Sequence, residues 1–339
     1  MKTMIIYVEN VNLHLFDVQT TLLNQEGNDL SPEMKVFYQK RLIDYAEPNL
    51  VHDQFGDKYP IPRNGGKTTE FRKFSPLNKA LTALEEGVTP EGNKLDVTTI
   101  EATVDQYGDY ITISDVLDLT AIDRNLEQAT KLLGSQAGRT LDTITREVIT
   151  AGTNVMYAPK ADGTEVLTRE DVSSDSLLTL PVIFKAAAKL RAQNAMPIDD
   201  MFVAIVHPNV ACDLMLSDGW IEAHKYTTSD NIYKGEIGQL GGVRFVQTTE
   251  AKIVGGAGAN GDSVYCTMVI AANAYGVTEV EGGGLQHIVK QLGSAGTADP
   301  LNQRASTGWK AMKTAERLVE EYMVRIEHGS ATDPKAASN

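Results

Sequence analysis

The stretch "YITISDVLDLTAIDRNLEQATKLLGSQAGRTLDTITREVITAG", residues 110–152, decides the fold. Val116, Leu119, Ile122, Leu126, Ala129, Leu133, Ala137, Leu141, Ile144 and Val148 recur at steps of three or four, which average about 3.6 residues, the period of an α-helix. Ser114 or Asp115 can cap the start, Asp118 suits the positive end of the dipole, and Gly152 ends the run. At about 1.5 Å per residue, a rod over 115–151 would be roughly 55 Å long. Small residues in the stripe and the lack of a strict heptad argue against a coiled coil. A single long rod with Gly134 and Gly138 in its polar face suggests a backbone element spanning a molecule.

Upstream, residues 58–113 break into short extended pieces punctuated by Pro60, Pro62, Pro76 and Pro90, with a turn at "TPEG". Their charges are sorted. Lys58, Arg63, Lys67, Arg72, Lys73 and Lys79 stand against Glu70 alone in 58–79, whereas Glu85, Glu86, Glu91, Asp96, Glu101, Asp105 and Asp109 stand against Lys94 alone in 84–109. A fold-back would lay a basic arm beside an acidic one, and the same sorting would let the arm of one copy dock on another. The bland alternative is that the charges solvate a long loop. Before this segment, "SPEMKVFYQKRLIDY" (31–45) carries Ser31 and Pro32 as a helix start and an apolar stripe from Met34 to Tyr45, a short helix in an otherwise irregular acidic arm.

Downstream, helices and strands mix. "PVIFKAAAKLRAQN" reads as a helix opened by Pro181, "MFVAIV" as a buried strand and "HPNVACDLML" as a short helix; "VRFVQT" and "SVYCTMVIAA" read as strands, and Trp309 to Glu327 largely as strand. The class is α+β, closed by a short polar tail, "GSATDPKAASN".

Composition limits the function classes. The 339 residues with 42% hydrophobic content support a real core, and a net charge of -14 disfavours a dedicated nucleic-acid binder. No 18 apolar residues run together, and no secretion signal opens the chain. Cys212 and Cys266 are too few for a disulfide framework and read as small core residues.

No motif survives as a chemical site. "GEIGQLGG" (235–242) lacks the close G-x-G pair of a dinucleotide loop and leads into a strand, so its glycines read as a tight positive-φ turn. "IPRNGGKTT" ends like a phosphate-binding loop, but the position of that loop's first glycine holds Ile61, and neither strand nor helix flanks it correctly. His207 and Cys212, five apart on a helix, point in different directions; no histidines fall at metal-ligand spacing; Asp199, Asp200, Glu320 and Glu321 read as solvated charges. The expectation is no catalytic residue, no metal and no cofactor.

What remains is an arm, a charge-sorted hairpin, a rod and an α+β body, a design for interlocking copies. In their order, "IPRNGGKTTEFRKFSPL", "EEGVTPEG", "DQYGDYITISD", "EVITAGTNVMYA", "FVAIVHPNVACDLM", "GEIGQLGGVRFVQT" and "DPLNQRASTGWK" resemble the major capsid proteins of tailed bacteriophages, specifically the family named after the coat protein of coliphage N-four, from about 58 to 328. The resemblance implies the fold shared by tailed-phage and herpesvirus major capsid proteins. Its parts would be an N-terminal arm (1–57), an extended loop or E-loop (58–113), a spine helix with peripheral domain (114–180), an axial domain (181–284), a return to the peripheral domain (285–328) and a C-terminal tail (329–339).

The function so implied is structural. Hexamers and pentamers of this chain would form an icosahedral head enclosing double-stranded DNA without sequence-specific binding, assembled in the host cytoplasm and ending in the virion, with no membrane association. The implied partners are other copies of the chain, a separate scaffolding protein, a portal protein and in some shells a decoration protein. Arg63, Lys67, Arg72, Lys73, Glu85 and Glu86 are the candidates for contacts between subunits, so reversing Arg72 and Lys73 together is expected to weaken assembly more than folding. Some shells of this fold crosslink lysine to asparagine, for which Lys67, Lys73, Lys79 or Lys94 with Asn302 have only residue type in their favour. The rivals are a cellular nanocompartment of the same fold and a soluble α+β enzyme.

Overall fold

A computed structural model describes residues 20–21, 51–74, 77, 79–81, 83, 87, 89, 92–116, 125–217, 219–221, 238–291, 293–294 and 299–339. The expected helix at 31–45, Pro90 and Glu91 of the expected turn, and residues 117–124 of the expected rod lie outside the described residues. The first strands are β1 (Thr20–Thr21), β2 (Asp57–Lys58), β3 (Thr68–Phe74), β4 (Val97–Thr103) and β5 (Asp105–Ser114), followed by helix α1 (Asn125–Thr150). Then come β6 (Val155–Tyr157), α2 (Leu180–Ala192), β7 (Phe202–Val206), α3 (Pro208–Met215), β8 (Gln239–Leu240), β9 (Val243–Gln247) and β10 (Ile253–Val254). The chain closes with β11 (Val264–Ile270), β12 (Tyr275–Glu279), β13 (Gln286–Lys290), β14 (Arg304–Arg317) and β15 (Met323–His328).

Two compact units emerge. Among described residues, one collects 20–21, 108–116, 125–134 and the described part of 286–310; the other collects 51–107, 135–285 and 311–339 with the same restriction. In the first unit β13 runs antiparallel to the opening half of β14, with His287 opposite Trp309, and β1 lies parallel to β5. Gly108 and Gly308 let two backbones meet there. A Cβ on Gly108 would sit 2.5 Å from the Trp309 carbonyl oxygen, and one on Gly308 would sit 2.8 Å from that of Asp109.

The second unit holds the main core. Its sheet runs β6-β15-β11-β7-β9-β8, with β10 on β11. Every residue of β7 and β11 is buried, which is why both read as unbroken apolar runs: the sheet is covered on both faces. Helix α2 packs Val182, Ile183, Ala186, Ala187 and Leu190 into this core, and Trp220 meets Phe245 edge to face at 5.5 Å. Each large aliphatic side chain fully buried here contributes about 1.5–3 kcal/mol. The closing half of β14 pairs with β12, and β12 with β2.

Helix α1 confirms the rod over 26 residues, about 39 Å at the α-helical rise. Ala129, Leu133, Ala137 and Leu141 of the stripe are buried, whereas its last two positions, Ile144 and Val148, are half-buried and Ile149 packs in their place. Its last turn has no basic residue of its own. The free carbonyls at this negative end are met from elsewhere in the chain: Arg325 donates to the Thr150 carbonyl, and Arg317 donates to that of Val148 at 3.3 Å. Gly152 follows the helix without a left-handed conformation. It is small for a different reason, because a Cβ would lie 2.5 Å from the Glu320 carboxylate.

Two expectations are corrected. Cys212 is exposed on α3, pointing away from the buried Val210, Ala211 and Leu214, and only Cys266 is a core residue. Glu320 is not merely solvated: it accepts the backbone N–H groups of Thr153 and Asn154 and pairs with Arg317 at 3.2 Å. The short polar tail, for which the sequence carried no expectation of contacts, is docked on the body. Asp213 accepts from the Ser330 and Thr332 hydroxyls at 2.6 Å each, Tyr265 donates to the Asp333 carbonyl at 2.8 Å, and the Asn339 amide bonds Ile253 N–H and the Ala251 carbonyl.

Candidate functional site

The charge-sorted segment forms an antiparallel ribbon. β3 and β4 pair in the register Thr69 to Ala102, Glu70 to Glu101, Phe71 to Ile100, Arg72 to Thr99 and Lys73 to Thr98. Side chains alternate between the two faces of a strand, and the faces differ. Phe71 is buried with its ring 4.9 Å from that of Tyr59 and its edge against Gly276, Ala102 is fully buried, and Lys73 reaches Glu321 at 3.6 Å. This inward face belongs to the chain's own body. Glu70, Arg72, Thr99 and Glu101 face outward and are exposed.

The expected attraction between a basic and an acidic arm is therefore only partly realised. Lys67 crosses to Asp105 at 2.9 Å, but Glu70 stands opposite Glu101, and Arg72 turns to Glu70 of its own strand at 3.6 Å. Strand alternation explains this: residue sorting along the chain does not select which charges share a face. Of the six contact candidates, Arg63 is exposed in a tight turn, Lys67, Arg72 and Lys73 lie as just described, and Glu85 and Glu86 fall outside the described residues. Beyond the ribbon, Leu77, Leu81 and Leu95 are exposed by 57%, 86% and 71%, and Lys79 and Lys94 are exposed beside them.

The root of the ribbon is held by a buried polar cluster that sequence reasoning missed. His52 gives its backbone N–H to Asp142 at 2.8 Å and its Nδ1 meets the other carboxylate oxygen at 2.6 Å. Asp53 accepts from the Thr145 hydroxyl at 2.5 Å and from Lys313, and Lys313 also donates to the Leu141 carbonyl at 3.0 Å. The Tyr275 hydroxyl donates to the His52 carbonyl, and burial pushes that phenol well above its ordinary range. A second buried carboxylate, Glu327, is held between Arg169 and Arg325, at 2.5 and 2.8 Å. Burial beside it pushes the Cys266 thiol up to about 12, which keeps that sulfur protonated and unreactive.

Among the described residues, the motifs weighed for bond chemistry hold structural places. His207 is the N-cap of α3, its Nδ1 accepting the Asn209 N–H at 3.2 Å. Gly238, Gly241 and Gly242 adopt positive φ directly before β9, a turn rather than a phosphate cradle. In "IPRNGG" the Gly65 N–H closes a turn on the Pro62 carbonyl at 2.9 Å and the chain continues into β3. Among the described residues no three potential ligands converge on a metal position, and no helix is long and apolar enough to cross a membrane.

Comparison with known proteins agrees with this structural character. The phage capsid protein family matches residues 97–323, well over half of the chain. Among solved structures, the capsid of Ralstonia phage GP4 superposes with a TM-score of 0.66 at 13% identity, covering 98% of this chain and 100% of that one. The cyanophage Pam1 capsid gives 0.65 at 14% identity over 94% and 100%, and the capsid of cyanophage P-SCSP1u gives 0.64 at 14% identity over 92% and 93%. No curated protein sequence matches the chain. The solved structures share the fold, an α+β capsid architecture, and the sequence match supplies the family. The chain belongs to the phage capsid protein family: it is a major capsid protein, a structural component of the virion that assembles with copies of itself and not an enzyme.

Proposed function

We propose that copies of this chain close into an icosahedral head of pentamers and hexamers enclosing the double-stranded DNA of a tailed phage, with the extended loop of each copy lying on a neighbour. The observation that carries this reading is the loop itself. Leu77, Leu81 and Leu95 project into solvent from a segment whose inward ribbon face is already satisfied by its own chain, and burying such side chains against another copy would contribute about 1.5–3 kcal/mol each. In this reading α1 is the spine, residues 181–284 are the axial domain, 58–113 the E-loop, and 285–328 return to the peripheral domain beside 114–180. Residues 1–57 act as the arm and 329–339 as the tail. The net charge of -14 suits a container whose genome must slide and leave, because it weakens adhesion to phosphates. Assembly takes place in the host cytoplasm with a scaffolding protein and a portal, and a decoration protein binds the finished shell where one is used.

The test is the content of particles purified from infected cells. Shells of this chain filled with double-stranded DNA are expected; shells filled with a single enzyme would favour the nanocompartment, and a monomeric product would remove the shell reading.

A further inference from the structure

The outward face of the ribbon does not balance its own charge. Glu70 and Glu101 are directly opposed, a cross-strand position where like charges destabilise. Arg72 reaches Glu70 at 3.6 Å, which leaves Glu101 without an ion pair among the described residues. The inward face offers no relief, since Phe71 and Lys73 are already engaged by the body.

A few residues upstream the same chain carries the opposite charge, also unpaired. Lys58 and Arg63 are exposed, and neither side chain makes an ion pair among the described residues. Arg63 projects from the turn closed by the Gly65 N–H, and only its backbone N–H is used, by Glu281 at 3.5 Å. Each copy thus presents carboxylates on the outward face of the ribbon and cations on β2 and in the turn that follows it. Two different, complementary patches on one chain make a head-to-tail contact, the kind that closes rings of identical subunits.

We infer that Glu70 and Glu101 on the outward face receive Lys58 and Arg63 of a second copy, and that this contact selects the neighbour in the shell. The inference rests on the reading of the chain as a shell subunit. It assigns the two ribbon faces to different molecules: the inward face folds, the outward face assembles.

A charge swap tests it, with shell yield measured beside the unsubstituted chain under one set of assembly conditions. Glu70→Lys with Glu101→Lys, and separately Lys58→Glu with Arg63→Glu, are each expected to lower shell yield at least tenfold while the unassembled subunit melts as before. All four changes in one chain are expected to restore at least half the yield. A fourfold variant as poor as its parents, or a parent that assembles normally, overturns the inference while leaving the shell reading intact. Absence of shells from the unsubstituted chain overturns that reading and this contact with it. Should the variants fold poorly, unsubstituted shells built from isotopically light and heavy copies and treated with a zero-length carbodiimide crosslinker decide the matter: Glu70 or Glu101 joined to Lys58 between copies is expected, and such bridges only within a copy overturn it.

Discussion

His52 and Asp142, ninety residues apart in sequence, share two contacts in the interior of the protein: backbone N–H to carboxylate at 2.8 Å and Nδ1 to carboxylate at 2.6 Å. Because a carboxylate only accepts, the imidazole proton sits on Nδ1. The neighbouring Asp53 repeats the pattern with Thr145 and Lys313. Two consecutive residues therefore bolt the root of the ribbon to α1 and to β14.

Lys313 is almost fully buried and its ammonium faces Asp53 and the Leu141 carbonyl. Removing one member of such a pair leaves the other desolvated and uncompensated, so Lys313→Met is expected to cost about 3–5 kcal/mol. Adding Asp53→Asn should return part of that loss, a coupling that urea unfolding of the two single variants and the double variant measures. Strictly additive losses would show that the pair is not coupled.

Lys73 and Arg72 are expected to separate. Lys73 Nζ pairs with Glu321 at 3.6 Å, and Lys73→Glu replaces that pair with two like charges, so the unassembled subunit should lose up to about 1 kcal/mol in thermal or denaturant unfolding. The joint reversal of Arg72 and Lys73 thus tests two things at once, and its folding component belongs to Lys73. An unchanged Lys73→Glu stability would place that side chain outside the fold.

Gly241 has φ of 64°, and a Cβ there would lie 2.1 Å from the Phe184 ring. Gly241→Val combines a left-handed β-branched residue with a steric clash, and a loss of at least about 2 kcal/mol is expected. A normal melting temperature would contradict the turn's account.

His328 is fully enclosed: its Nδ1 faces the Gly329 carbonyl at 2.8 Å, so this nitrogen carries the proton, and its Nε2 accepts from the Thr267 hydroxyl at 2.9 Å. That arrangement requires the neutral ring, and burial pushes its pKa down to about 4. An unfolded histidine titrates near about 6.5. Between those values the unfolded chain binds a proton that the folded one refuses, so stability is complete above about 6.5 and is lost as pH falls toward 4, by up to about 1.4 kcal/mol per pH unit. His328→Gln should show a flatter dependence over that window, followed by urea unfolding at several pH values; an unchanged slope would assign the acid sensitivity to other groups.

The elements legible in the sequence are those whose apolar period is their own. Buried β7 and β11 are unbroken apolar runs, α2 and α3 open with proline, and the stripe of α1 keeps its period where Leu133, Ala137 and Leu141 pack. The same helix also buries Asp142, Thr145 and Arg146, and a hydrophobic period assigns such residues to solvent. Apart from the neighbouring Glu147, which Arg146 pairs with, their partners lie in other parts of the chain: His52, Asp53, and for Arg146 the carbonyls of Glu250 and Asn339. No local pattern carries that information.

The ribbon was legible in a finer way than charge sorting allowed. In "TEFRKF" the alternation of a strand puts Phe71 and Lys73 on one face and Glu70 and Arg72 on the other, and an apolar Phe71 marks which face turns inward. Cys212 follows the same logic on α3. The neighbours Val210, Ala211 and Leu214 define the buried side, and position 212 is turned away from it. For Gly152 the sequence offers no cue, because the crowding comes from Glu320 far along the chain.

Electron microscopy of particles assembled from this chain, with and without a co-expressed candidate scaffolding protein, tests the central claim most directly. Closed, uniform shells in which the outward ribbon face of each copy lies against a neighbour are predicted. A chain that stays monomeric with scaffold present, or shells in which that face remains bare to solvent, would contradict the account.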